Sequence, residues 1–184
     1  VRASELGVDA TQLAPALDSD GTLQTTLEEI RCRTAALLGL AASMEEAREI
    51  VQHIPKIVLV APSAAYTASS GKLVEAGQID LVARAISMRN THRTFPGTVS
   101  MCTAVAAQVE GTVVREATQQ RDALDIRIGH PAGVMQVGAT VSHRGGEWSA
   151  ERVTTTRTAR RIMEGSILVP QQYLDGRPWF EDKG

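Results

Sequence analysis

The sequence predicts an α+β domain in which a curved, mostly antiparallel sheet wraps around a central buried helix, with extra outer helices near the N-terminus. Three observations carry that expectation. From Thr94 to Val109 there is no charged side chain, and Thr98 to Gln108 presents small or apolar groups on every helical face, so a helix there must be buried all round. In the second half, Met135, Val137, Ala139 and Val141 alternate with Gln136, Gly138, Thr140 and Ser142, the period of a half-buried strand. Near the start lie two amphipathic helical segments with polar backs, which cover the outside of something.

The elements follow in order. Val1 to Gly7 has no leading Met and reads like the end of a strand running into a turn, which points to a fragment or a processed chain. Asp20 caps a helix whose stripe is Leu23, Leu27, Ile30, Leu37 and Leu38, with Gly39 placed to end it. Ser43 and Glu46 make a capping box before Met44, Ala47, Ile50, Val51 and Ile54, and Pro55 forces the stop. Ile57 to Ala61 is a buried strand, Pro62 to Gly77 a surface loop, and Ile79 to Ser87 a strand or short helix. After the central helix, Leu124, Ile126 and Ile128 alternate with Asp125 and Arg127. Arg144-Gly145-Gly146-Glu147 turns a hairpin, a Thr-rich strand runs from Val153 to Thr156, and Ile167 to Val169 is a last strand ended by Pro170.

Composition narrows the functions. The 184 residues are 43% hydrophobic and 22% charged, which excludes intrinsic disorder, and no apolar run is long enough for a membrane span. A net charge of -2 leaves no basic excess for phosphates, and 3% aromatic residues leave few platforms for bases, so neither nucleic acid nor membrane is an expected partner. Cys32 and Cys102 alone make no disulfide framework or zinc site, and a reducing cytoplasm fits. His53, His92, His130 and His143 lack metal-ligand spacing, and no phosphate loop, dinucleotide fingerprint or nucleophile elbow occurs, so no metal or cofactor is expected.

What remains is the entrance to the central helix. Unpaired amides at Gly97, Thr98 and Val99, the helix dipole and a glycine that permits close approach suit a bound carboxylate, with His92 shortly upstream. The plainer alternative is that Thr98 only caps the helix and His92 is a solvated loop residue. Gly129-His130-Pro131-Ala132-Gly133 reads as a rigid turn between strands. Arg157, Arg160 and Arg161 form a rival anion site, though spaced charges on an edge are more often solvated, and Cys102 reads as a small core residue.

Several of these residues match a known pattern. Pro55-Lys56-Ile57, Ser69-Ser70-Gly71-Lys72, Ile86-Ser87-Met88 followed by His92, Gly97-Thr98 through Ala106-Ala107 with Glu110-Gly111-Thr112, Ile128 to Gly133, Gly146-Glu147-Trp148, and Arg157-Thr158-Ala159-Arg160 with Met163-Glu164-Gly165 resemble the C-terminal half of the 2-methylaconitate cis-trans isomerase family. That family also includes 4-oxalomesaconate tautomerases. The resemblance runs nearly the whole chain in order, and Val1 to Gly7 looks like the family's strand just past its domain boundary.

The resemblance implies a diaminopimelate-epimerase-like architecture of two domains, each a sheet curled around a helix, with substrate between the two helix N-termini. Residues 1–184 are then one domain, the C-terminal half, and the proton-moving Lys and thiol or hydroxyl lie in the absent N-terminal half. No catalytic residue is therefore expected in this chain, and the fragment alone is expected to be inactive. Where the distantly similar epimerases place a catalytic Cys, this chain has Pro96 and Gly97. Lys56, Ser87, Met88, His92, Gly97 and Thr98 become the expected substrate-binding residues. The partners implied are a small unsaturated polycarboxylate, the N-terminal half and, as an option, a second copy of the chain. The competing expectations are a non-catalytic small-anion module of the same fold and an epimerase of another small acid.

Overall fold

The structure is a computed structural model of the chain, and it describes residues 1–119, 124–156, 159 and 161–173. Three helices precede the main sheet: α1 (Ala14–Ser19), α2 (Gly21–Leu37) and α3 (Met44–Glu49). The Asp20 carboxylate accepts from the Leu23 amide at 2.9 Å and starts α2 as expected. Ser43 likewise accepts from the Glu46 amide, but the Glu46 carboxylate takes the Ala42 amide in place of that of its own cap. Arg31, almost fully buried, ties α2 to α3 and the turn behind it by donating to the carbonyls of Ala47, Val51 and Ile54 and to Glu28.

The expected stripe of α2 holds at Leu23 and Leu27 and fails at Leu37 and Leu38, which are 86% and 64% exposed. The last turns of α2 pack on α3 through Cys32, Ala35 and Ala47, and this rotates the two leucines into solvent. Gly39, at φ +67°, follows the helix end. α3 ends at Glu49, short of Pro55, and leaves Ile50 exposed.

The strands are β1 (Ile57–Pro62), β2 (Tyr66–Thr67), β3 (Leu73–Val74), β4 (Leu81–Ser87), β5 (Asn90–Thr91), β6 (Asp125–His130), β7 (Gly133–Arg144) and β8 (Glu147–Thr155). The main sheet runs β1-β4-β6-β7-β8, with β5 on the end of β4. β4 and β6 pair in parallel, Leu81 opposite Ile128, and the other pairs are antiparallel. At the start of the chain Arg2 bridges Val60 in parallel before a tight helical turn, Ala3–Leu6. The segment expected as a surface loop instead folds β2 and β3 into a small hairpin that buries Tyr66.

Strand parity divides the core. Leu59, Val82 and Ile86 face α1 and α2, together with Tyr66 and Ile79. Val60, Leu81, Ala83, Ala85, Ile126, Ile128, Val137 and Ala139 face the central helix α4 (Gly97–Gln108) and the short α5 (Val113–Ala117). The expected architecture, a mostly antiparallel curved sheet holding a helix, is thus present, with outer helices on its other face.

The expectation that nearly every residue of α4 is buried is corrected. Val99, Ser100, Thr103, Ala104 and Ala107 are buried, whereas Met101, Val105 and Ala106 are half-buried and Thr98 and Cys102 exposed. The described strands cover one side of the helix, so apolar character all round does not become burial all round. Cys102 accordingly is not a core residue. The expected strand at Ile167–Val169 is also absent: residues 161–170 have no regular structure, and Ile167 and Leu168 stand exposed. No helix among the described residues is long and apolar enough to cross a membrane.

Candidate functional site

Three of the expected binding residues meet at one end of the sheet. Ile57 lies opposite Ile86 in the β1–β4 ladder, so Lys56 and Ser87, one step further on, share the α4 face. The Lys56 ammonium donates to the Ser87 hydroxyl at 3.5 Å. His92 is anchored by its amide to the Ala85 carbonyl, and its Nε2 is a buried atom with no hydrogen-bond partner among the described residues. Burial first, then the Lys56 charge, lowers the His92 imidazole below its ordinary value and favours the neutral ring.

Met88 is placed differently. With Arg89 it forms the two-residue turn between β4 and β5, both at positive φ, and its side chain lies half-exposed toward α2.

Gly97 and Thr98 open α4. No side chain caps this helix, whereas Asp20, Ser43 and Thr112 cap α2, α3 and α5. The plainer reading of Thr98 as a cap is thereby set aside: it lies inside the first turn, exposed, and Ser100 turns its hydroxyl back to the Gly97 carbonyl. The first-turn amides remain available to an anion.

His130 is the residue that sequence reasoning passed over. Pro131 and Ala132 do turn the chain between β6 and β7, but His130 itself is the last residue of β6 and is 7% exposed. The signal was available, because the alternation Ile126, Ile128 continues to His130 and puts it on the buried face.

A buried polar group stands behind it. The Tyr66 hydroxyl lies 2.7 Å from the His130 carbonyl and 2.6 Å from that of Gly133. Arg84 lies over the Tyr66 ring, its guanidinium carbon 4.9 Å from the centroid. Gly129 lets this packing close: a Cβ there would sit 2.7 Å from Ile79 Cδ1 and 3.1 Å from Tyr66 Cε1.

Burial first, then the Arg84 charge, pushes His130 down to about 4, so the ring is neutral near pH 7. The group's folded pKa lies below its unfolded value, so its contribution to stability is complete above about pH 6.5 and is lost as the pH falls toward 4. We predict up to about 3 kcal/mol of acid destabilisation from this one residue. Urea melts at pH 7.0, 5.5 and 4.5 should show the loss, and His130→Gln should flatten it; an equal acid slope in both proteins refutes the assignment.

The rival sites are weaker. A cleft of about 520 Å³ between α2, α3 and the β4–β5 turn is lined by Glu28, Glu29 and Glu49 as well as Arg48 and Arg89, a poor balance for a polycarboxylate. Arg157 and Arg160 lie outside the described residues, and Arg161 is exposed and paired with Glu164. Among the described residues no group of His, Cys, Asp and Glu is arranged to hold a metal ion.

Comparison with known proteins adds to this geometry. A family model described as PrpF protein matches residues 1–170. The chain belongs to the PrpF protein family. Relatives bearing on the PrpF assignment include the 2-methyl-aconitate isomerase of Shewanella oneidensis, 37% identical over 171 residues, 93% of this chain and 43% of that protein. The 3-methylitaconate isomerase of Eubacterium barkeri is 34% identical over 176 residues, 95% of this chain and 45% of that protein. The crystal structure of a methylitaconate-delta-isomerase superposes with a TM-score of 0.79 at 33% identity, covering all of this chain and 47% of the other. This PrpF chain therefore spans less than half the length of the curated relatives it matches.

Proposed function

We propose that this PrpF domain holds the substrate of a cofactor-independent isomerase that shifts an allylic proton in a small unsaturated di- or tricarboxylate such as 2-methylaconitate or 4-oxalomesaconate. The observation that carries this reading is the uncapped N-terminus of α4, five residues after His92, on the sheet face that also bears Lys56 and Ser87. The names of the isomerase relatives support the substrate class.

In such an acid, loss of an allylic proton gives a dienolate whose charge spreads into a carboxylate. First-turn amides aimed at that carboxylate stabilise the charge as it grows, and the Lys56 ammonium adds to the field. Return of the proton at another carbon gives a tautomer, and return after rotation gives the cis-trans isomer. Pro96 and Gly97 carry no acid or base, and Cys102 lies further along the helix, so this domain orients substrate while the remainder of the longer protein moves the proton. An epimerase of another acid would need a proton-moving group at that first turn.

In the complete protein, calorimetric titration with cis-aconitate should show Thr98→Val binding more weakly by about 1 kcal/mol, roughly fivefold, and His92→Ala also weakened. Arg161→Ala should bind as the parent does. Weakening in the Arg161 variant alone, or in none of the three, overturns the helix-entrance site.

A further inference from the structure

Resting on that reading, we propose that His130 is a further substrate-binding residue, donating a hydrogen bond from Nε2–H to a carboxylate of the acid held at the N-terminus of α4.

The imidazole ring is hydrogen-bonded to the domain at one nitrogen and not at the other. Its Nδ1 accepts from the Ala132 amide at 3.3 Å, so in the neutral ring the proton resides on Nε2. No described residue partners that Nε2, and it is not among the fully buried polar atoms left without a partner, so the donor edge of an otherwise buried ring can be reached from outside.

Position says where the free donor is used. Ile126 and Ile128, at alternate positions of β6, pack on the α4 side of the sheet, and His130 continues that row. Its ring centroid is 6.4 Å from that of Phe95, two residues before the first turn of α4. The parallel register pairs Val82 with Gly129, and one step further along puts His130 level with Ala83, four residues along β4 from Ser87, about 13 Å at strand rise and on the same face. Lys56 and Ser87 toward the end of β4, and His130 further back beside Phe95, thus lie on the one sheet face that carries α4.

The network behind the ring fixes it there. The Tyr66 hydroxyl meets the His130 and Gly133 carbonyls, and Arg84 Nη1 donates to the Gly129 carbonyl, so the backbone on both sides of the imidazole is held. Arg84 also donates to the carbonyls of Thr11 and Gln12, which anchors the same group to the far side of the sheet. A neutral, fixed donor suits a carboxylate next to the double bond, because it strengthens as charge moves onto that carboxylate and has no proton to surrender near pH 7.

The test is kinetic, in the complete protein with 2-methylaconitate, on His130→Phe and His130→Gln. Glutamine carries an N–H near the position of the imidazole Nε2; phenylalanine keeps the volume and loses the donor. His130→Phe should lose about 10- to 100-fold in kcat/KM, and His130→Gln should recover most of it. Equal kcat/KM in parent and His130→Phe overturns the proposal while leaving the isomerase reading intact. A parent protein that neither turns over nor binds such acids removes the reading and this proposal with it. Should the variants fail to fold, nitrogen-15 NMR of the parent decides: the His130 Nε2 resonance should shift when tricarballylate binds, and an unmoved resonance beside shifted Gly97 and Thr98 amides overturns the proposal.

Discussion

Arg84→Ala should lower the melting temperature by about 10 °C, the loss of about 3–5 kcal/mol in a domain of this size. Arg84 is fully buried on the face of β4 opposite α4. Its Nε donates to the Gln12 carbonyl at 2.7 Å, Nη2 to Thr11 at 2.9 Å, and Nη1 to Ala83 at 2.9 Å and Gly129 at 3.3 Å. Among the described residues the guanidinium hydrogen-bonds no carboxylate; burial brings it down to about 10, with Tyr66 and then Asp9 as lesser, opposing influences. Alanine would open a cavity and leave carbonyls of three segments without donors, each an unpaid desolvation. Arg84→Met separates the two contributions, since it restores much of the volume and none of the donors. A thermal melt of Arg84→Met equal to that of the parent would show that the donors add nothing and that packing is the whole effect.

Asp80→Ala should cost about 3 kcal/mol, read as a lower urea midpoint with an unchanged slope. Asp80 is 1% exposed and sits where the sheet changes from antiparallel to parallel pairing. Its carboxylate accepts from the Arg127 amide at 2.7 Å and from Nε and Nη2 of the same residue, at 3.2 and 2.6 Å, while its own amide donates to the Arg127 carbonyl. The Gln119 amide closes on the Asp80 carbonyl. One residue thus registers β4 against β6 and holds the segment after α5. Removing it leaves the half-buried Arg127 side chain and a strand amide without their acceptor, whereas Arg127→Met, with its partner's charge left buried, should cost a similar amount. The double variant tests the coupling: additive losses would mean that the two residues act independently.

Much of this domain is readable along the chain because the physics that sets it is local. Asp20 and Ser43 start helices because a short oxygen acceptor reaches an amide three residues on. Gly39 follows the end of α2 at positive φ, and the alternation in β6 and β7 is the period of a pleated strand. The entrance to α4 was legible for the same reason, since a stretch beginning Pro96-Gly97 and lacking a capping side chain leaves its amides free wherever it lies.

Tertiary structure decided which side of each element was used. The composition of α4 announces an apolar helix, but only the placement of β6, β7 and β8 determines that Ala104 is buried and Cys102 is not. Leu37 and Leu38 follow the stripe of α2 and still reach solvent, because Cys32 and Ala35 meet α3 first. The pairing of β4 with β6 spans residues far apart in sequence, and from that pairing come the burial of Asp80, the reach of Arg84 to Gly129 and the position of His130 beside Phe95. A side chain's type and period are properties of its neighbours along the chain; its burial and hydrogen-bond partners are properties of whatever the fold brings against it, and for His130 those decide between a turn residue and a buried strand residue.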